Sequence, residues 1–182
     1  MLFCTGFPIQ SPAEGLLILI NKYDLKPADI KSITARLPES GAHTVNDREM
    51  PDINLQYLFA VALLDGRISF EAAHSVERMT EPDVLELRSK MTLIGDPELT
   101  HADPEWQSIV EITTNDGRDL KEHVVSFKGK ADNPLTTEEV SEKALDLMEP
   151  VIGKTQSDKL IDAINNLETL DSVRKLRPLL SV

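Results

Sequence analysis

Residues Ser108-Ile109-Val110-Glu111-Ile112-Thr113-Thr114-Asn115-Asp116-Gly117-Arg118-Asp119-Leu120-Lys121-Glu122-His123-Val124-Val125-Ser126-Phe127-Lys128 decide the fold class. Ile109, Glu111 and Thr113 alternate with Val110, Ile112 and Thr114, the two-residue period of a strand. Asn115-Asp116-Gly117 is a strong hairpin signal, because Asn, Asp and Gly tolerate the positive φ that a tight turn demands. Residues 108–128 are therefore expected to form an antiparallel hairpin.

Working outward toward the N-terminus, the pattern changes period. Lys90 to Ile94 reads as a strand, and Glu81-Pro82-Asp83 opens a short helix through Leu85 and Leu87. Ser69 caps another short helix. Asp52 to Asp65 is apolar almost throughout, so it reads as a buried helix, capped by Asp52 and closed by Gly66. Residues 39–51 read as a polar loop. Ile33, Ala35 and Leu37 alternate with polar neighbours and stop at Pro38, a half-buried strand. Ser11 with Pro12 and Glu14 reads as the start of an apolar helix running to Tyr23.

Toward the C-terminus, Thr136 and Glu139 form a capping-box pair that starts a helix ending near Glu149. Further helical stretches follow near residues 157–166 and 170–176. Their narrow apolar stripes amid Lys, Asp and Glu suggest a face that docks elsewhere. The expected architecture is α+β, an antiparallel or mixed sheet with packed helices, over residues 1–134, followed by C-terminal helices over 135–182.

Composition narrows the function classes. The chain has 182 residues, 19 Lys plus Arg against 31 Asp plus Glu, and a formal charge of −12. Such a balance lacks the clustered cations that nucleic-acid phosphates require. The single cysteine, Cys4, cannot form an internal disulfide, and nothing approaches the roughly 20 apolar residues of a membrane span. A cytoplasmic protein without membrane or nucleic-acid partners is expected. The histidines at 43, 74, 101 and 123 are too scattered for a zinc pattern, so no metal is expected.

Two polar segments could carry chemistry. His43 to Asp52 gathers His, Arg, Asn and carboxylates between a strand and an apolar helix, where sites are usually built. The plainer reading makes Asp47, Arg48 and Asp52 a surface ion network and a helix cap. Thr5 to Pro12 approaches a helix N-terminus, which favours anions, though alone it is a loop with a cap.

Phe7-Pro8-Ile9-Gln10-Ser11-Pro12, the strand ending at Pro38, His43 to Tyr57, and Ala62 to Gly66 together resemble the MmgE/PrpD family. Arg78-Met79, the Asp116-Gly117 hairpin and Asn133-Pro134-Leu135 continue the likeness. Members include 2-methylcitrate dehydratase, cis-aconitate decarboxylase and iminodisuccinate epimerase. The resemblance implies the family's small α+β lid domain, with closing helices that return to a large helical N-terminal domain. These 182 residues do not contain that helical domain. It also implies cofactor-free proton abstraction beside a carboxylate, then loss of water or carbon dioxide, or reprotonation.

Decarboxylase-like members carry a Lys-x-Phe/Tyr-Pro-x-His segment in the lid. Here Thr5 fills the Lys slot and Gln10 the His slot, while Phe7 and Pro8 are retained. Thr5 and Gln10 can hydrogen-bond a carboxylate but cannot act as a base. Such members place a Tyr near Ala42, which makes His43 the remaining acid/base candidate and Arg48 the carboxylate clamp. The charge of −12 repels a di- or tricarboxylate at long range, so local cations or the helical domain must hold it. The expectation is therefore a lyase or isomerase lid, inactive without a helical domain in cis or trans. The alternative is a non-catalytic binding or assembly module that keeps the lid fold. A homo-oligomer is expected under both, because uncovered apolar helix area seeks contacts.

Overall fold

A computed structural model describes residues 2–181. The chain divides into two compact units, Phe3–Pro134 and the residues from Leu135 onward.

The first unit is built on a four-stranded mixed sheet in the order β2-β1-β3-β4. β1 spans Ile30–Pro38, β2 Met91–Asp96, β3 Ser108–Thr114 and β4 Asp119–Val124. β1 lies parallel to β2 and antiparallel to β3, and β3 and β4 are the expected hairpin. The register places Ala35 opposite Val110 and Ile112 opposite Leu120, so the alternating apolar residues share one face. On the other face, Arg36 Nε lies 3.1 Å from Glu111 and Lys121 Nζ lies 3.1 Å from the same carboxylate. Partial burial would raise the Glu111 pKa, but the hydrogen bonds and charges of Arg36 and Lys121 outweigh it and hold the carboxyl below its usual range.

Helix α1, Gln10–Tyr23, covers the apolar face. A Cβ on Gly15 would stand 3.2 Å from both Val110 and Val124, so the helix backbone approaches β3 and β4 closely there. Ser11 does not cap this helix. A 3-10 turn over Phe7–Ile9 runs directly into it, so the helix begins upstream of Ser11. The Ser11 hydroxyl instead meets that of Ser108 at 2.7 Å, and the Glu14 carboxylate accepts the Lys128 N–H at 2.7 Å. Tertiary partners have captured both side chains expected to serve the helix end.

Residues 39–51 are not simply a loop. Glu39–Val45 form helix α2, with Gly41, Ala42 and Val45 buried. Its weak apolar pattern hides it; close packing makes it, since a Cβ on Gly41 would lie 3.3 Å from the Trp106 ring and 3.4 Å from Pro8. Helix α3, Leu55–Asp65, is buried from Leu55 through Leu63, as its all-round apolar sequence dictates. Asn54 caps it by accepting the Tyr57 N–H, not Asp52, because Pro51–Ile53 form a separate 3-10 turn. Gly66 closes it with φ of 70° and donates to Ala62 O.

Helix α4, Phe70–His74, is capped by Ser69, and α5 spans Pro82–Ser89. The Tyr57 hydroxyl donates to Ala72 O at 2.6 Å and ties α3 to α4. Burial pushes the Tyr57 phenol pKa up, while nearby Arg78 acts against it. A single turn, α6 at Pro97–Thr100, follows β2.

In the second unit, α7 (Thr137–Ile152) starts at the Thr136/Glu139 capping box. It packs on α8, Lys154–Asn165, which begins one turn earlier than its sequence suggests. The stretch near residues 170–176 is a 3-10 helix, Val173–Leu179. Between α7 and α8 lies an apolar cavity of about 220 Å³, lined by Ala144, Met148, Leu160 and Ile161 among others. No described helix is long and apolar enough to cross a membrane.

Candidate functional site

Both polar segments singled out in the sequence arrive at one end of the sheet. β1 ends at Pro38 beside Asp96 of β2, and antiparallel β3 begins there at Ser108. α2 follows β1 directly, while the 3-10 turn at Phe7 leads into α1. The Gly6 N–H donates to Asp52 O at 2.9 Å, joining the segments although many residues separate them. A Cβ on Gly6 would lie 2.9 Å from the Ile53 side chain, so this approach requires glycine.

Gln10 is buried and its amide is fully engaged. Its Oε1 accepts the Phe3 N–H at 3.1 Å, and Nε2 donates to Phe3 O at 3.0 Å and Thr5 Oγ1 at 3.0 Å. Thr5, half-buried, thus touches Gln10 directly. The side chains in the two slots of the resembled motif form one neutral, mutually hydrogen-bonded pair.

His43 sits exposed near the end of α2, and its ring has no hydrogen bond or ion pair among the described residues. Arg48, also exposed, folds back on that helix. Its Nη2 donates to His43 O at 2.7 Å and Nε to Thr44 O at 2.8 Å. A guanidinium placed there satisfies carbonyls left open by the helix end and opposes its partial negative charge. His43 and Arg48 are therefore neighbours, with part of the Arg48 fork committed to backbone. Asp47 pairs with Arg88 rather than with Arg48, and Asp52 takes no part in the ion network expected of it; its carbonyl is what matters.

No local pattern signals what stands beside these residues. Phe7 packs edge-on against Trp106 and Phe127, with ring centroids 5.1 Å and 5.5 Å away. Next to Trp106, Gln107 lies 2.7 Å from the His123 ring. Only strand register brings His123 here, since Ile109 near the start of β3 is its partner. No cluster of metal-ligating side chains occurs among the described residues.

This is an α+β domain that presents an exposed His and Arg at one sheet end, with a neutral Thr5–Gln10 pair whose amide is buried. Residues 3–169 match the MmgE/PrpD C-terminal domain, and the chain belongs to that family. It is 29% identical over 163 residues to cis-aconitate decarboxylase of Mus musculus, covering 86% of this chain and 33% of that protein. To cis-aconitate decarboxylase of Homo sapiens it is 28% identical over 167 residues, covering 89% and 34%. To the 2-methylcitrate dehydratase-like protein oryR of Aspergillus oryzae it is 31% identical over 153 residues, covering 75% and 30%. The chain thus spans about a third of the length of these relatives.

Proposed function

We propose that this chain supplies the lid-side wall of an MmgE/PrpD-type active site acting on small di- or tricarboxylic acids. A helical domain, in cis or in trans, supplies the other wall, and the lid alone is inactive. The observation that carries this reading is the Arg48 guanidinium docked on the backbone carbonyl of His43, with both side chains open to water. A proton carrier in bulk solvent gains neither a fixed partner nor the strengthened electrostatics of a dry site. Covering by a second wall would provide both. His43 then exchanges the proton beside the substrate carboxylate, and Arg48 holds that carboxylate through the donors α2 leaves to it. Thr5 binds substrate through its hydroxyl, and Gln10 contributes by fixing Thr5. The reaction needs no cofactor. The names of the relatives point to decarboxylation or dehydration; the neutral Thr5–Gln10 pair leaves acid–base work in the lid to His43.

The test combines the chain with a separately expressed helical domain of a family enzyme. Consumption of cis-aconitate and methylcitrate is followed for the pair and for each part. Turnover is expected from the pair alone, lost in His43→Ala and weakened through KM in Arg48→Ala. Turnover by the lone chain would refute the reading, as would full activity of His43→Ala in the pair.

One observation favours a second reading. The Thr5–Gln10 pair satisfies itself, as it would in an assembly module that has kept the fold and lost the chemistry. Calorimetry with citrate and cis-aconitate separates the two: micromolar binding favours the site, and silence favours assembly. Both readings imply a cytoplasmic homo-oligomer, which light scattering checks.

A further inference from the structure

Gln56 is the only amide side chain in α3, and it is buried. Burying an amide is unfavourable unless its polar atoms are paired. Both ends of Gln56 reach out of the helix to the loop after α2. Nε2 donates to Asn46 Oδ1 at 2.6 Å, and Oε1 accepts the Asp47 N–H at 3.0 Å. Asp47 itself has φ of 48°, a left-handed conformation uncommon for residues with side chains, and one that Asp tolerates better than most, so its partners help decide whether the turn is held. Its carboxylate accepts from Arg88 Nη2, while Arg88 Nη1 donates to Met79 O at 3.1 Å, anchoring the guanidinium to the scaffold. Immediately after Asp47 the chain reaches Arg48, whose carbonyl accepts from Asn54 and whose guanidinium closes on α2.

We propose that Gln56 and Arg88, neither of them in the loop, are positioning residues that hold Asp47 left-handed and thereby aim Arg48 back at His43. The inference rests on the reading that this loop carries the lid's acid–base and cationic groups. Gln56 grips the Asp47 backbone and Arg88 its side chain, so the turn is clamped from two directions. Without either clamp, Asp47 relaxes toward negative φ and the guanidinium leaves the α2 carbonyls.

The test uses the full chain and residue-resolved amide exchange by NMR on wild type, Gln56→Leu, Arg88→Leu and the core control Val61→Ala. Exchange at the Asp47 N–H, which Gln56 Oε1 protects, is expected to rise about tenfold in both clamp variants, the effect of one lost hydrogen bond on a local opening. The Arg48 Nε–H signal, protected by Thr44 O, is expected to broaden or vanish in both, to recover in Arg88→Lys, and to persist in Val61→Ala. Unchanged loop exchange together with an unchanged Nε–H signal in both variants would overturn the inference. Should Gln56→Leu fail to fold, Arg88→Leu decides the matter, since Arg88 lies at the partly exposed end of α5. Citrate titration of wild type is read separately: absence of shifts at His43 and Arg48 counts against the proposed site, while the exchange comparison still decides the clamp.

Discussion

Replacing Gln10 by Leu removes the amide that anchors the N-terminal segment. Phe3 N–H, Phe3 O and Thr5 Oγ1 each lose a partner. A buried polar group stranded in this way costs about 1–3 kcal/mol, so leaving all of them in place would be very unfavourable. The segment has an alternative. It can peel away and let water satisfy the backbone, giving up the burial of Phe3, which is 7% exposed. Exposing a Phe side chain costs about 1.5–3 kcal/mol. The chain takes the less costly route, so the expected loss is about 2–3 kcal/mol. Trp106, the only tryptophan, stands against Phe7 at this end of the sheet and reports the change by fluorescence. With a urea dependence of about 2 kcal/mol per M, the midpoint should fall by about 1–1.5 M. A fall of less than about 0.3 M would instead make Gln10 a bystander. Gln10→Glu adds a sign. Burial raises the new carboxyl's pKa in the folded state, so the unfolded chain gives up that proton more readily. Stability of the variant is then greatest below the unfolded value of about 4.3 and falls as pH rises through the folded value.

Gly66→Ala meets no atom within 4 Å, yet must hold φ of 70°, so thermal melting should show a loss of about 1 kcal/mol from backbone strain alone. Tyr57→Phe removes the hydroxyl donor at Ala72 O, leaving it only the Ser75 N–H at 3.4 Å, and should destabilise by about 1–1.5 kcal/mol in urea. In wild type, ultraviolet titration should show Tyr57 ionising above the ordinary tyrosine range, a shift that unfolding abolishes. Glu111 has a folded pKa below its unfolded one, so its contribution is present above the unfolded value and lost as pH falls through the folded one. Glu111→Gln should therefore flatten the acid side of the stability profile, and a profile identical to wild type would contradict the Arg36–Glu111–Lys121 pairing.

Helix α3 and the β3–β4 hairpin are legible in the sequence because each signal is local. An uninterrupted apolar run has nowhere to go but the interior, and Asn-Asp-Gly can turn where other residues resist. Helix α2 is not legible, because its stability comes from Gly41 meeting Pro8 and Trp106, residues far away in the chain. The Ser11 motif misleads for the same reason: a hydroxyl free to cap found Ser108 instead.

At the candidate site the division is sharper. His43, Arg48, Thr5 and Gln10 stand out by residue type, since few other groups there could move a proton or hold an anion. Residue type says nothing of partners. Gln10 turns inward to Phe3 and Thr5, and Arg48 turns back to the carbonyls of His43 and Thr44. Gln56 and Arg88, which face the loop from α3 and α5, carry no local signal at all.

The amino-acid order alone determined an α+β domain, its family resemblance, and the absence of charge at the Thr5 and Gln10 positions. The tertiary structure alone decided that Gly6 meets Asp52 and that Asp47 is held left-handed beneath Arg48. The reason is physical. Periodicity and turn chemistry act over a few neighbouring residues, whereas each of these polar groups takes its direction from partners that only packing brings within hydrogen-bond reach.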